Sequence, residues 1–289
     1  MKKKIVITGA TGFTGLHACQ YFVDKGYEVI GISRSSFSIL KVHAETCDLL
    51  NKASISEILN KHKPNFCLHL AGVNSVPHSW EDPISTIEAN VLGTLYLLEA
   101  IRSSVPSCRT VIVTSALSGK DHPYGVSKQL QQNLVMDWTH LFDLQVMVAK
   151  PCNLIGPGTS PGFVSFLAKR IIHMENTGDV SAINISHLGN KREFLDVRDA
   201  ISAYEVLLKK GHHNKTYEIG SGKMTTLLEI ADIFQTFTKE KLTLLETAAS
   251  PEKSPNVMDS KLLQELHWQK KYPLEISIQQ TLTFYRSIR

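Results

Sequence analysis

The chain has 289 residues, of which 43% are hydrophobic and 20% are charged. This length can bury a large core as one α/β domain or as two intergrown domains, and the composition is ordinary for a globular protein. The formal net charge of +4 is too small to indicate a nucleic-acid partner. The five cysteines are scattered and form no C-x-x-C pair, so we expect reduced thiols in a cytoplasmic protein and no metal site.

We expect no targeting or membrane segment in the first residues. Lys2, Lys3 and Lys4 precede an apolar run, but Thr8 and Gly9 interrupt it after three residues. This run is far shorter than a signal-peptide core or a membrane span requires. We therefore expect no membrane partner.

Short apolar runs alternate with helical patterns over the first half of the chain. Runs rich in β-branched residues predict strands over 5–8, 28–32, 66–70, 110–114 and 145–149. Helical patterns between them cover 15–25, 55–61, 84–103 and 124–142. This alternation predicts a Rossmann-type doubly wound parallel sheet, whose ligands bind outside the carboxyl ends of the strands. After residue 150 the pattern loosens, and one further strand is predicted over 215–219.

A glycine motif, Gly9-x-x-Gly12-x-x-Gly15, joins the first strand to the first helix. Its glycines permit a tight turn, a close approach to a pyrophosphate and close packing of the helix on the sheet, and the helix start favours phosphate. A P-loop is excluded because no Gly-Lys-Ser/Thr follows, and the alternative is a turn without a ligand. The predicted cofactor contacts here are Gly9, Thr11, Gly12, Phe13, Thr14 and Gly15.

The second strand runs into Ser33, Arg34 and Ser35. NAD enzymes usually carry an acidic residue here, which holds the ribose hydroxyls. A guanidinium and hydroxyls would instead bind a 2′-phosphate, which a carboxylate would repel. The sequence predicts a preference for NADP(H), with NAD possible, unless Arg34 is only a surface side chain. Asp48, followed by Leu49, is predicted to lie against the adenine.

Tyr124 and Lys128 stand four residues apart after Pro123, which can open a helix. A tyrosine ordinarily titrates at about 10, and an ammonium one helical turn away lowers the pKa of the phenol. Thr114 and Ser115 end the preceding strand, and we choose Ser115 to bind a substrate carbonyl. A Tyr-x-x-x-Lys pattern alone is common in helices. With the glycine turn upstream, it predicts a nicotinamide site whose proton donor is Tyr124.

These motifs resemble those of the extended short-chain dehydrogenase/reductase superfamily, in its NAD-dependent epimerase/dehydratase branch, over nearly the whole chain. Stretches at 79–80, 123–128, 153–158, 162–164 and 189–199 are most similar to the subgroup of GDP-4-keto-6-deoxy-D-mannose reductases. The resemblance implies that Asn90 supports the active site and that Lys128 also holds the nicotinamide ribose. It adds cofactor contacts at Leu70, Ala71, Gly72 and Pro151. It implies substrate contacts at Asn74, His78, Ser115, Asn153, Phe163, Val164 and Arg192.

The resemblance also implies two domains and a reaction. We expect a dinucleotide-binding domain at 1–152, to which 194–219 return, and a smaller C-terminal α/β nucleotide-sugar-binding domain at 153–193 and 220–289. The subgroup reduces the C4 ketone of a nucleotide-linked 4-keto-6-deoxy sugar with NADPH, and we expect that reaction. The alternatives are a nucleotide-sugar epimerase with tightly bound NAD(P) and a non-enzymatic NADP sensor. A homodimer through helices near 84–103 and 124–142 is implied as well.

The chain departs from its relatives at two places. Only residues 116–123 separate Ser115 from Tyr124, and Ala116 and Leu117 stand where sugar dehydratases carry an Asp-Glu pair, so dehydration is not expected. Lys253-Ser254-Pro255-Asn256 stands where relatives often carry an Arg-Pro-x-Asp segment that binds the nucleotide. We therefore expect Arg192, Asn153 and Lys253 to bind the diphosphate. Among single residues, we expect His69, Trp80 and Trp268 in the core and His122 in the shortened loop.

Overall fold

The computed structural model describes residues 2–248 and 256–288. The strands are β1 (Lys4–Thr8), β2 (Glu28–Ser33), β3 (Val42–Thr46), β4 (Phe66–His69), β5 (Arg109–Val113), β6 (Val146–Pro151), β7 (Asn153–Ile155), β8 (Ile183–Ile185), β9 (Lys191–Asp196), β10 (Thr216–Ile219), β11 (Met224–Thr226) and β12 (Leu244–Glu246). The helices are α1 (Phe13–Asp24), α2 (Lys52–His62), α3 (Val76–Glu81), α4 (Pro83–Ile87), α5 (Gly93–Ser104), α6 (Pro123–Phe142), α7 (Phe163–Thr177), α8 (Val197–Lys210), α9 (Leu227–Gln235), α10 (Lys261–Glu265) and α11 (Leu274–Ser287).

The chain forms two compact units. The first contains Met1–Pro151, Ile201–Ile219 and Lys261–Trp268. The second contains Cys152–Ala200, Gly220–Ser260 and Gln269–Arg289. The return of Lys261–Trp268 to the first unit is a feature that the sequence patterns did not indicate.

A seven-stranded sheet forms the first unit, in the order β10-β6-β5-β4-β1-β2-β3. Every neighbouring pair in it is parallel. The inner strands are buried on both faces, as Ile5, Val6 and Ile7 of β1 show, because helices cover both sides, whereas the edge strand β3 is largely exposed. The chain builds the sheet outward from β1 in one direction and then from β4 in the other. The predicted doubly wound sheet is therefore confirmed, and its topological switch point lies between β1 and β4, where such sheets bind ligands.

The predicted helix over 84–103 is interrupted. A turn of π-helix, Glu88–Leu92, lies between α4 and α5. The stretch Pro83–Ser104 is long and apolar enough by itself to meet the criterion for a membrane span. Leu97, Leu98 and Ile101 of this stretch are nevertheless fully buried in the core of the first unit, which is typical of a core helix of a globular protein.

The second unit has two small sheets, β11-β9-β7 and β12-β8. β7 pairs in parallel with β9, whereas β11 pairs antiparallel with it. α7, α9 and α11 enclose a separate core that includes Leu167, Ile171, Phe234, Ile278 and Leu282. This core, independent of the first, accounts for a second compact unit.

The predictions for the two tryptophans Trp268 and Trp80 have different outcomes. Trp268 is buried, and its indole Nε1 donates to Ser202 Oγ at 2.9 Å, as expected for a core residue. Trp80 is 64% exposed on α3, so its prediction as a core anchor is wrong. α3 is only six residues long and begins in an exposed loop, which leaves the indole on the outer face.

All five cysteines are free and buried, at positions 19, 47, 67, 108 and 152. Burial raises the pKa of the Cys19 and Cys108 thiols to about 12 and that of Cys47 to about 11. The thiols are therefore protonated at neutral pH, and their reactivity in the folded chain is low.

Candidate active site

The glycine motif forms a tight turn at the carboxyl end of β1. Gly9 has φ +69°, and a Cβ there would lie 2.9 Å from the main chain of Ala71. A Cβ at Gly15 would lie 2.9 Å from the Cα of Ala10, so the helix approaches the strand as closely as the motif predicts. Gly12 precedes α1, and within the described part of the chain no side chain caps this helix start. The first N–H groups of α1 and its uncompensated dipole therefore suit a phosphate, which fits the predicted dinucleotide.

The end of β2 lies beside this turn. Ser33 and Thr11 share a hydrogen bond between their hydroxyl oxygens at 3.0 Å. Arg34 and Ser35 follow and are exposed, so a guanidinium and two hydroxyls stand at the strand end. Asp48 is exposed as well, and its Oδ1 accepts from the N–H of Leu50. This set contains the chemistry of a 2′-phosphate site.

The turn after β4 faces the same switch point. Leu70 and Ala71 each donate a main-chain N–H to Thr8 Oγ1 at 3.1 Å, which fixes this turn against β1. Gly72 has φ +151°, and a Cβ there would lie 3.7 Å from Lys128 Nζ. Asn74 and His78, predicted for the substrate, are exposed beyond this turn.

Ser115, Tyr124 and Lys128 come from β5 and α6. Ser115 follows β5, and its hydroxyl lies close enough to the Tyr124 phenol to lower the pKa of that group. Tyr124 and Lys128 lie one turn apart on α6 and are only 6% and 5% exposed. Pro151, predicted for the cofactor, ends β6 and is buried; its carbonyl accepts from the N–H of Ala116 at 3.0 Å. The structure thus brings Ser115 and Tyr124 together.

The expected lowering of the tyrosine pKa is not observed. Burial raises the pKa of Tyr124, and the nearby Ser115 hydroxyl opposes this only in part. Burial also lowers the pKa of Lys128 to about 8. Desolvation is the largest cause of both shifts, because it disfavours the charged form of each group. The phenol is therefore protonated at neutral pH, the state that a proton donor requires.

The shortened loop between Ser115 and Tyr124 folds back on the start of α6. His122 is the N-cap of that helix, and its Nδ1 accepts from the N–H of Gly125 at 2.8 Å. The His122 ring also stacks with the Tyr124 ring at a centroid distance of 5.9 Å. Gly119 N–H donates to the Gly125 carbonyl at 3.2 Å. His122 thus closes the helix start and supports the tyrosine.

Asn90 lies in the π-helical turn, a feature frequent at functional sites. Its Oδ1 accepts from Val73 N–H at 2.8 Å, and its Nδ2 donates to Val73 O at 3.1 Å. The same Nδ2 donates to Ser127 Oγ at 2.8 Å. Asn90 therefore ties the turn after β4 to α6.

The sequence patterns did not indicate three residues that are connected to Lys128 through hydrogen bonds: Gln131, Thr94 and Thr8. Gln131 Oε1 accepts from Lys128 Nζ at 2.9 Å, and Gln131 Nε2 donates to Thr94 Oγ1 at 2.8 Å. The spacing of three residues from Lys128 places Gln131 on the same helical face, and this signal was available in the sequence.

The remaining predicted residues belong to the second unit. Asn153 Nδ2 donates to the Glu193 carbonyl at 3.0 Å across the β7–β9 pair. Arg192 is partly exposed on β9, and Phe163 is partly buried at the start of α7. Val164 is 2% exposed within the core of this unit, so its side chain is unsuited to a substrate contact. Lys253 lies outside the described residues.

Across residues 2–248 and 256–288, no three His, Cys, Asp or Glu side chains cluster as metal ligands would. The buried His69 is fully bonded instead, to Thr8 and Thr94, as expected for a core imidazole.

Comparisons with known proteins give a consistent result. The model of the NAD dependent epimerase/dehydratase family matches residues 5–220. The chain is 27% identical to a GDP-6-deoxy-D-mannose reductase of Pseudomonas aeruginosa, over 98% of this chain and 95% of the relative. It is 26% identical to a UDP-glucose 4-epimerase of Rhizobium leguminosarum bv. trifolii, over 78% and 79% of the two chains.

Solved structures agree over the full length. RMD from Pseudomonas aeruginosa, solved with NADPH, matches with a TM-score of 0.87 and 25% identity, over 100% of both chains. The fold is also that of a UDP-glucose 4-epimerase of Thermotoga maritima, with a TM-score of 0.86, 20% identity and 99% coverage of each chain. The chain therefore belongs to the NAD-dependent epimerase/dehydratase family, and it is an NAD(P)-dependent oxidoreductase.

Proposed function

We propose that this enzyme reduces the C4 ketone of a nucleotide-linked 4-keto-6-deoxy sugar with NADPH. The observation that carries the proposal is the buried Tyr124 phenol, which lies beside Ser115 and is kept protonated by its surroundings. A protonated phenol beside a hydroxyl is suited to deliver a proton to a carbonyl oxygen. The similarity to a GDP-6-deoxy-D-mannose reductase over 98% of the chain supports the same reaction.

The cofactor fits the glycine turn and the end of β2. The Gly9–Gly15 turn and the first N–H groups of α1 would hold the pyrophosphate. Arg34, with Ser33 and Ser35, would hold a 2′-phosphate, and Asp48 would lie near the adenine. The nicotinamide, when bound, supplies the hydride for the carbonyl carbon.

The protein supplies the proton and holds the carbonyl. Ser115 Oγ donates a hydrogen bond to the carbonyl oxygen, and Tyr124 transfers its phenolic proton to the same oxygen as negative charge develops there. The phenolate that remains is stabilised by the positive charge of Lys128 until solvent returns the proton. The C4 ketone thereby becomes an alcohol.

The side chains after Ser115 favour reduction over dehydration. Ala116 and Leu117 offer neither an acid nor a base, so removal of a proton from carbon and loss of a hydroxyl have no catalyst at this position. In the second unit, Asn153, Phe163 and Arg192 would contact the nucleotide diphosphate or the sugar, with any contact from Val164 made by its main chain.

We also propose a cytoplasmic homodimer. α6 exposes Leu130, Leu141 and Phe142, the second of them by 66%, and Ile84 of α4 is exposed as well. A second copy covering these side chains would remove apolar surface from water. Sedimentation velocity tests this, because Leu141→Asp should shift a dimer toward monomer, whereas a monomeric unmodified chain would refute it.

The reaction is tested by following cofactor oxidation with 4-keto-6-deoxy sugars generated in situ from GDP-, dTDP-, UDP- and CDP-hexoses. Stoichiometric NADPH oxidation with one of them, lost in Tyr124→Phe while that variant still binds NADPH, is the expected result. Cofactor that co-purifies and is not consumed would instead indicate an epimerase. A fully active Tyr124→Phe variant would refute the proposed proton donor.

A further inference from the structure

Buried polar side chains form a continuous hydrogen-bonded chain from β1 to α6. Thr8, His69, Thr94 and Gln131 are fully buried, and Lys128 stands at the end of the chain. The distances are 2.8 Å from Thr8 Oγ1 to His69 Nδ1 and 3.0 Å from His69 Nε2 to Thr94 Oγ1. Gln131 continues the chain, at 2.8 Å from Thr94 Oγ1 and 2.9 Å from Lys128 Nζ. Of these five residues, the proposed reaction uses only Lys128.

The direction of each bond follows from the Thr8 hydroxyl. Its oxygen accepts the N–H groups of Leu70 and Ala71, so its single hydrogen is donated to His69 Nδ1. His69 must then carry its proton on Nε2. Burial, with a smaller contribution from the charge of Lys128, lowers the pKa of this ring to about 3, and the imidazole is neutral.

The Thr94 hydroxyl transmits this direction to Gln131. Thr94 donates its hydrogen to the Asn90 carbonyl at 2.7 Å, so its oxygen can only accept, from His69 Nε2–H and from Gln131 Nε2–H. The amide nitrogen of Gln131 therefore faces Thr94, and the carbonyl oxygen faces Lys128. A flipped amide would point N–H groups at the ammonium and leave a carbonyl against an oxygen with no hydrogen to donate.

We propose that Gln131 is the positioning residue of Lys128, and that the bonds from Thr8 onward fix its carbonyl oxygen against the ammonium. The other groups that face Lys128 are the Val113 carbonyl of β5, at 3.5 Å, and the neutral His69 ring of β4. Tyr124 lies one turn earlier on α6. Gln131 thus provides the shortest hydrogen bond that this buried cation makes in the described residues. Since Thr8 also binds the turn at Leu70 and Ala71, the cofactor turn and the lysine are held by one network.

The catalytic role of Lys128 rests on the proposed function, whereas the position of its ammonium does not depend on that function. The test therefore uses the cofactor-free protein with ¹³C-labelled lysine, and it follows the Lys128 side-chain NMR signal as a function of pH. Lys128→Arg assigns the signal by its disappearance. Gln131→Met removes the acceptor at nearly constant size, and Gln131→Glu replaces it with a carboxylate.

A hydrogen bond to the charged form favours that form, so the two variants should act in opposite directions. Gln131→Met should weaken the proton affinity of Lys128 by about tenfold, and Gln131→Glu should strengthen it. General loosening of the helix cannot produce both. Gln129→Met on the same helix is the matched control, because residues one apart do not share a face, and it should leave the Lys128 titration unchanged.

Equal titration of Lys128 in the unmodified chain and both Gln131 variants would overturn the proposal. If Gln131→Met does not fold, the Gln131→Glu titration alone decides the question. With an active substrate in hand, Gln131→Met should also move the alkaline limb of kcat to lower pH, with little change in KM. Absence of any reductase activity would sink the proposed function and leave the titration result standing.

Discussion

The buried ammonium of Lys128 should cost the folded protein stability. Its pKa falls from 10.5 to about 8 because of burial, and a tenfold change in proton affinity corresponds to about 1.4 kcal/mol. The charge therefore costs the folded state roughly 3 kcal/mol at neutral pH. Lys128→Met alone would leave the Gln131 carbonyl buried without its partner. The double variant Lys128→Met, Gln131→Met removes both the ammonium and the carbonyl. It also removes the hydrogen bond from Gln131 to Thr94, which lowers the stability by about 1 kcal/mol.

We expect the double variant to be more stable than the unmodified chain by about 2 kcal/mol at pH 7, which raises Tm by roughly 3 °C. The advantage depends on pH, with a sign that follows from the lowered pKa. The penalty is fully present below about 8 and disappears as the pH rises to 10.5, where lysine is neutral in both folded and unfolded states. Urea unfolding at pH 7 and pH 9.5 should show the advantage fall by more than half. A double variant that is no more stable at pH 7, or whose advantage does not shrink with pH, would refute this reasoning.

Three further predictions concern the cofactor turn and the reaction. Gly9→Ala should lower Tm more than Gly26→Ala: both positions have positive φ, but only at Gly9 would the added Cβ meet main chain, at 2.9 Å from Ala71. Thermal unfolding of the two variants separates the two effects, because Gly26→Ala adds backbone strain alone and Gly9→Ala adds strain and a steric contact. Equal losses of Tm would contradict the close approach of Gly9 to Ala71. Arg34→Ala should weaken NADPH binding by about tenfold or more and leave NADH binding nearly unchanged, as measured by fluorescence titration; equal weakening would show that Arg34 does not read the 2′-phosphate. Reductase activity should decline as pH rises through about 8, where Lys128 loses its proton, and kcat that is constant to pH 10 would exclude a role for its charge.

The parallel sheet was predictable because its strands are short, β-branched and bounded by turn residues. The strand bounds near Ile5, Glu28 and Phe66 differ from the prediction by one residue. The π-helical turn was not predictable, since the apolar pattern of 84–103 continues through it. Within the turn, the side chain of Asn90 bonds the main chain of Val73, and an apolar pattern does not report such a contact.

The catalytic motif was predictable in its residues but not in its electrostatics. Spacing placed Tyr124 and Lys128 on one face of a helix, yet their pKa values depend on burial, which spacing does not report. Gln131 was overlooked because a glutamine in a helix usually carries no chemistry. Its importance follows from neighbours on β1, β4 and α5 that only the folded chain brings together. The prediction that Trp80 lies in the core was wrong because an apolar residue in a short exposed helix need not be buried.

The placement of the cysteines gives this chain built-in reporters of local opening. Cys19, Cys47, Cys67 and Cys108 belong to the first unit, and Cys152 belongs to the second. An alkylating reagent can reach each thiol only after the structure around it has opened, so the labelling rate measures an opening free energy. Pulsed labelling followed by peptide mass spectrometry would therefore read the two units separately, without any engineered probe. A ligand that stabilises one unit alone would slow the labelling of the thiols in that unit. The labelling rate of the other unit would stay unchanged and serve as an internal reference.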